Sequence, residues 1–276
     1  MTTKLFIDSR ERQNPDRTSD SDFTYSLPFP INVKEGSKAI LEYVAIPNTM
    51  NTILEGVNDL FFLIEEDRNG NATNRQETLP PGHYSPDEFA TILESALNNQ
   101  NKTLYNAYGC EWIAERGVFR IYGLLMVLPN EKFWILTEEE MANRAGYHPW
   151  VQFGAYRATG FVSGSLSPGT PANPSVESPN LPQLQFATQL FIKSDGFGAP
   201  PSSIGPKGAQ NICRRVIIDS PHNEISIDRH FTTWDAIKLN PGTLSSLNFR
   251  LCDYQGNLVD LNGHPWSMTI SIFKGT

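Results

Sequence analysis

Five histidines, His83, His148, His222, His230 and His264, are the residues here best suited to bind a metal or move a proton near neutral pH. No pair is spaced H-x-x-x-H, and none lies in H-E-x-x-H. Gly82, Pro149, Pro221 and Pro265 flank four of them, so they read as loop histidines that hold no metal. A serine nucleophile on a strand-to-helix elbow needs G-x-S-x-G, and Gly164-Ser165-Leu166-Ser167-Pro168 lacks the last glycine. Gly205-Pro206-Lys207-Gly208 sets a lysine among glycines, as a phosphate loop does. Pro206 removes a donor amide there, and no helix signal follows. Asp20-Ser21-Asp22 and Glu65-Glu66-Asp67 lack calcium-loop spacing and read as solvated acids. Carboxylates that meet only in space, as in glycoside hydrolysis, stay open. Trp112, Trp134, Trp150, Trp234 and Trp266 would line a sugar groove in that case; otherwise they serve as core residues or interface anchors. No catalytic, metal-ligating or cofactor-binding residue stands out. The chain is expected to be no enzyme and to need no cofactor.

Composition narrows the partners. The net charge is −8, and the basic residues are scattered, which speaks against specific nucleic-acid binding. Cys110, Cys213 and Cys252 are too few and too spread for a disulfide framework, and no C-x-x-C pair exists. They read as buried thiols of a protein made in a reducing host compartment. No N-terminal apolar leader is visible, and no run approaches the ~18 apolar residues of a membrane span. Asn71-Ala72-Thr73 and Asn101-Lys102-Thr103 match the glycosylation pattern by chance on this reading.

The elements that would position these residues follow from periodicity. Residues 1–21 have few apolar groups after Ile7 and read as an extended arm, mobile or ordered only against a partner. Residues 22–27 alternate, with Phe23, Tyr25 and Leu27 on one face. Residues 38–46 are long and apolar and stop at Pro47-Asn48. Residues 59–65 are nearly all apolar, as in a strand buried on both faces. A polar loop is expected over 66–75. Ser85-Pro86-Asp87-Glu88 then supplies a cap, a proline at the first helical position and a capping-box glutamate. Tyr84 and Phe89 stand at staple spacing. Phe89, Ile92, Leu93, Ala96 and Leu97 form one apolar stripe that ends at Asn98-Asn99. Strands are expected over 118–122 and 132–136. Thr137 and Glu140 box a second short helix, with Leu136 and Met141 as its staple and Gly146 as its end.

Residues 77–163 therefore read as a small α+β unit inserted in a loop of a β-domain. Pro168, Pro171, Pro174, Pro179 and Pro182 make 164–184 an extended connection. Strands resume over 187–193, 212–219, 224–227 with 233–239, 247–252 and 266–273. The β-domain is then discontinuous, 22–76 with 185–276. Three strands before the insertion and five after it make eight, the strand count of a single antiparallel jelly roll. The first and last strands are expected to share a sheet.

The opening LFIDSRERQ…DSDFTYSLP, the strand KAILEYVAIPNT, the segment PGHYSPDEFATILESALN and the close LNFRLCDYQGNLVDLNGHPWSMTISIF carry a resemblance. The chain resembles the minor capsid (penton) proteins of virophages, polinton-like viruses and adintoviruses. The likeness is one of pattern, spread along the chain. It implies a mainly β protein, a single eight-stranded jelly roll forming homopentamers. These plug the vertices of icosahedral capsids of double-stranded DNA viruses, beside a double-jelly-roll major capsid protein. The location implied is the capsid vertex of the virion. A ring needs head-to-tail contacts, and the arm would lie along a neighbour with Phe6 and Ile7 as apolar anchors and Arg10 and Arg12 as charged ones. Two other readings stay open: a receptor-binding or fibre-type virion protein, and a β-sandwich carbohydrate-active enzyme.

Overall fold

A computed structural model describes residues 2–14, 18–67, 69–99, 107–124, 131–143, 152, 154–163, 168–185, 187–197, 205–208 and 210–274. Gly146, His148, Trp150, Ser165, Ser167 and the Asn101 glycosylation match lie outside them. The chain begins with β1 (Thr2–Asp8), β2 (Asp22–Val33) and β3 (Lys38–Pro47). It continues through β4 (Leu60–Glu66), β5 (Ala72–Thr78), α1 (Pro86–Leu97), β6 (Tyr108–Ile113), β7 (Val118–Gly123) and β8 (Lys132–Ile135). Then come α2 (Glu138–Asn143), α3 (Tyr156–Thr159), β9 (Ser175–Glu177), β10 (Gln189–Lys193) and β11 (Ile212–Ile217). It closes with β12 (Ile225–Asp228), β13 (Ile237–Lys238), β14 (Gly242–Cys252) and β15 (Ser267–Phe273). The mainly β, antiparallel architecture expected from the sequence is observed.

Two compact units result: Met1–Met50 with Ala187–Thr276, and Asn51–Phe186. The first unit has two antiparallel sheets. One runs β1-β15-β3-β12, with β13 also on β3; the other runs β11-β10-β14-β2. Setting the two-residue β13 aside, eight described strands remain. They pair first with eighth, second with seventh, third with sixth and fourth with fifth. Alternation fills the space between the sheets, because successive side chains of a strand point to opposite faces. Leu41, Val44, Ile46, Met268, Ile270 and Ile272 from one sheet and Leu190, Ile192, Leu247, Phe249 and Leu251 from the other are all buried. Phe23 on β2 ties the sheets together, with its ring 5.8 Å from Trp266, just before β15, and 5.7 Å from Phe249.

The first twenty-one residues depart from expectation. Thr2–Asp8 is a strand, paired residue for residue with β15 from Thr2↔Phe273 to Asp8↔Ser267. The partner that orders it belongs to the same chain. Thr, Leu, Phe and Ile fit a pleated edge, and the ladder satisfies backbone groups that a free arm would leave to water. β1, and not the strand over 22–27, is thus the neighbour of the last strand. β2 lies in the other sheet, on β14.

The insertion is also larger than expected. Residues 59–65 become β4, which pairs with β5 and β8 inside the second unit. Its continuous apolar run has a physical reason. Phe61 and Leu63 enter one cluster with Phe89, Leu93, Tyr108, Phe119 and Phe133. Leu60, Phe62 and Ile64 enter another with Met141 and Tyr156. The proline-rich stretch belongs to this unit too, and its β9 pairs with β7. The helix signals act as read. Ser85 accepts from the Glu88 amide and Glu88 accepts from the Ser85 amide, while the Tyr84 and Phe89 rings pack at a tilt, 5.9 Å apart. Thr137 and Glu140 repeat the box at the start of α2.

Candidate functional site

The four expected contact residues divide by the pleat of β1 and the turn after it. Phe6 points outward and is 72% exposed, whereas Ile7 is in the core at 2%. Ile7 is therefore a packing residue, because neighbours on a strand face opposite sides. Asp8 caps the 3₁₀ turn Ser9–Glu11 and holds exposed Arg10 in a fork, Nε to Oδ1 at 2.9 Å and Nη2 to Oδ2 at 2.6 Å. The Arg10 hydrogen bond keeps the Asp8 carboxyl below its ordinary value. Arg12 turns inward. Its Nη1 donates to Ser9 O at 3.0 Å and to Asp20 Oδ1 at 2.8 Å. The Ser9 hydroxyl donates to the same Asp20 oxygen at 2.6 Å, and Trp266 Nε1 donates to Asp20 O at 2.6 Å. Arg12 and Asp20 thus lock the link between β1 and β2; Asp20 is not a solvated acid.

The outer face of the five-stranded sheet carries a recess of about 490 Å³. Phe6, Tyr43, Phe231 and Thr269 form its apolar side, and Lys4, Glu42 and Arg229 its polar side. Lys4 Nζ meets Glu42 Oε2 at 2.7 Å, which holds Glu42 below its ordinary value. The Arg229 guanidinium lies 5.5 Å from the centre of the Tyr43 ring. Both cations of this rim are therefore already engaged. Ile225 and Ile227 on β12 are exposed beside Pro47 and Ala45 and extend the apolar surface.

A second recess, about 580 Å³, lies between β11 and β12. Arg214 forks onto Asp228, Nε to Oδ2 at 2.8 Å and Nη2 to Oδ1 at 2.9 Å, and reaches Asp235 at 3.6 Å. Burial pushes Asp228 up, but the Arg214 hydrogen bond and the His230 amide outweigh it and hold the carboxyl below its ordinary value. Nearby, Trp234 is 94% exposed on a boxed 3₁₀ turn.

Among the described residues no three His, Cys, Asp or Glu side chains group to hold a metal. His83 faces the Thr52 hydroxyl at 3.2 Å, and His264 lies 3.2 Å from Leu261 O, each in a loop. Trp112 packs on Phe119 in one cluster, Trp134 on another and Trp266 in the first unit's core. Glu65 is fully buried, contrary to the solvated reading. It accepts from Arg75 Nη1 at 2.6 Å and from the Tyr108 hydroxyl at 2.7 Å, and Arg75 also pairs with Glu77. Such a network is the form in which a charge survives burial. Burial pushes the Cys110 and Cys213 thiols up to about 12, which suits inert thiols. No helix of the described residues is long and apolar enough to cross a membrane.

Sequence reasoning missed the recess. Its lining comes from β1, β3, β15 and the segment after β12, and only the register unites them. The available signal was the alternation in Thr2–Asp8, where Lys4 and Phe6 stand two apart.

No family profile matches the sequence, and no curated protein matches it significantly. Among solved structures, the mavirus penton protein matches over 99% of both chains, with a TM-score of 0.56 and 8% identity. A chain of the Sputnik virophage structure matches over 99% of this chain and 97% of its own, with a TM-score of 0.49 and 12% identity. The fold of this chain is similar to that of the mavirus penton protein along its whole length.

Proposed function

We propose that the chain is a structural capsid protein, a single jelly roll that assembles as a homopentamer at the vertices of an icosahedral double-stranded DNA virus. The observation that carries this reading is the nested pairing of eight strands, first with eighth through fourth with fifth. That pairing is a long antiparallel hairpin rolled into two sheets, the architecture of capsid jelly rolls. The full-length likeness to a penton protein supports the vertex role. The Asn51–Phe186 unit sits in the connection between the third and fourth strands of the roll and is its decoration. The partners are further copies of the chain and a double-jelly-roll major capsid protein. Neither specific nucleic acid nor a cofactor enters the account, and the place of action is the capsid vertex. Images of the purified chain, alone and with its major capsid protein, test this. Averages with fivefold symmetry are expected; threefold averages point instead to a fibre-type or receptor-binding protein.

A further inference from the structure

Strand β2 holds an irregularity that the roll does not need. Along its ladder with β14, Ile31 pairs with Leu244 and Ser26 with Ser246. Four residues, Leu27 to Pro30, thus face the single Ser245. Leu27 is buried and anchors the bulge from inside, while Pro28, Phe29 and Pro30 are exposed. Phe29 is 80% exposed. Bulges re-aim side chains, and two prolines fix the backbone φ on either side of the ring. The result is a stiff aromatic knob. The same prolines remove two backbone donors from this edge strand, so a neighbour cannot extend the sheet by strand pairing here. Contact at this edge must run through the side chain.

The same unit carries a matching hollow. The recess on the outer face of the five-stranded sheet has Phe6, Tyr43 and Phe231 as its apolar side, with the Lys4–Glu42 pair and Arg229 at its rim. Aromatic side chains bordered by polar ones are the make-up of an interface hot spot. Its charges are internally matched, Lys4 to Glu42 and Arg229 to the Tyr43 ring, so it selects no charged ligand. Knob and hollow are different patches of one subunit. When two such patches fit each other, the contact is head to tail, the kind that closes a ring.

We propose that Phe29 of one copy inserts between Phe6, Tyr43 and Phe231 of the next copy; this rests on the ring reading above. A buried Phe covers ~150–250 Å², against the ~1,200–2,000 Å² of a stable interface. The knob is therefore the anchor and not the whole contact. Ile225 and Ile227, exposed on the same outer face, supply further apolar area.

The test uses the full chain. Phe29→Ser and, from the other side, Phe6→Ser are each expected to raise the concentration at which rings form by roughly thirty-fold or more, the scale of a hot-spot loss. Both positions are exposed, so thermal unfolding of the dilute chain should not move. In a mixture of Phe29→Cys and Phe6→Cys chains, a short bis-maleimide should link subunits of the two kinds. Rings that form at the native concentration in both serine variants, with no mixed product, overturn the inference and leave the ring reading intact. Linkage between two Phe29→Cys chains also overturns it, since the contact is then knob to knob. If the native chain forms no ring at any concentration, the ring reading and this inference fall together.

Discussion

Phe6 and Ile7 are adjacent, similar in polarity and opposite in role. Ile7 lies in the core at 2% exposure and Phe6 lies outside it. Ile7→Ala should lower unfolding stability by about 2–5 kcal/mol through lost transfer energy and a cavity. Phe6→Ala should stay within about 0.5 kcal/mol in the unassembled chain. Urea unfolding of both variants compares them; equal losses would mean that β1 is not seated as described. Asp228 gives a pH-dependent case. Its folded value lies below the ordinary 3.8. A depressed carboxylate stabilises fully above its unfolded value, and the effect is lost as pH falls through the folded one. The advantage of the native chain over Asp228→Asn should therefore be constant at neutral pH and vanish on acidification below about pH 4. An advantage that grows in acid contradicts the Arg214 pairing. Single residues were legible where a local rule governs them, as at the Ser85 and Thr137 caps. Arg12 and Glu65 were not, because Asp20, Arg75 and Tyr108 reach them only through the fold.

At the scale of elements, β1 makes the sharpest claim. Its seven register pairs with β15 imply slow amide exchange at alternate residues between Thr2 and Asp8. Exchange at the rate of a free peptide there would restore the mobile arm. α3 tests the second unit. Gly160 follows it at φ 80°, and a Cβ there would lie 2.3 Å from the Asn180 carbonyl oxygen. Gly160→Ala should cost at least about 1–3 kcal/mol, from left-handed backbone strain with a backbone clash added. A thermal midpoint unchanged in the variant would contradict that geometry. Elements with their own hydrophobic period, such as α1 and β3, were readable. The polar loop expected over 66–75 covers the first half of β5, of sequence ATNRQET, which has no apolar period and owes its order to the ladder with β4. β9 was hidden among prolines for the same reason.

For the whole molecule, the sequence carried the mainly β, antiparallel architecture. The eight strands it offered include β4 and omit β1, so they are not the eight of the first unit. The sequence misplaced the interruption, because β4 has a strand's composition whichever unit it serves. Composition states that a strand is buried on both faces but not by which cores, and the Asn51–Phe186 unit supplies both. The nested pairing also required β1, whose polar sequel disguised it. The account's central claim is that this β-unit exists to meet copies of itself around a fivefold axis. Native mass spectrometry of the assembled chain tests it most directly. The account predicts a single closed species at five times the 30.9 kDa chain mass, and a monomer, dimer or trimer that persists at high concentration with the major capsid protein present would contradict it.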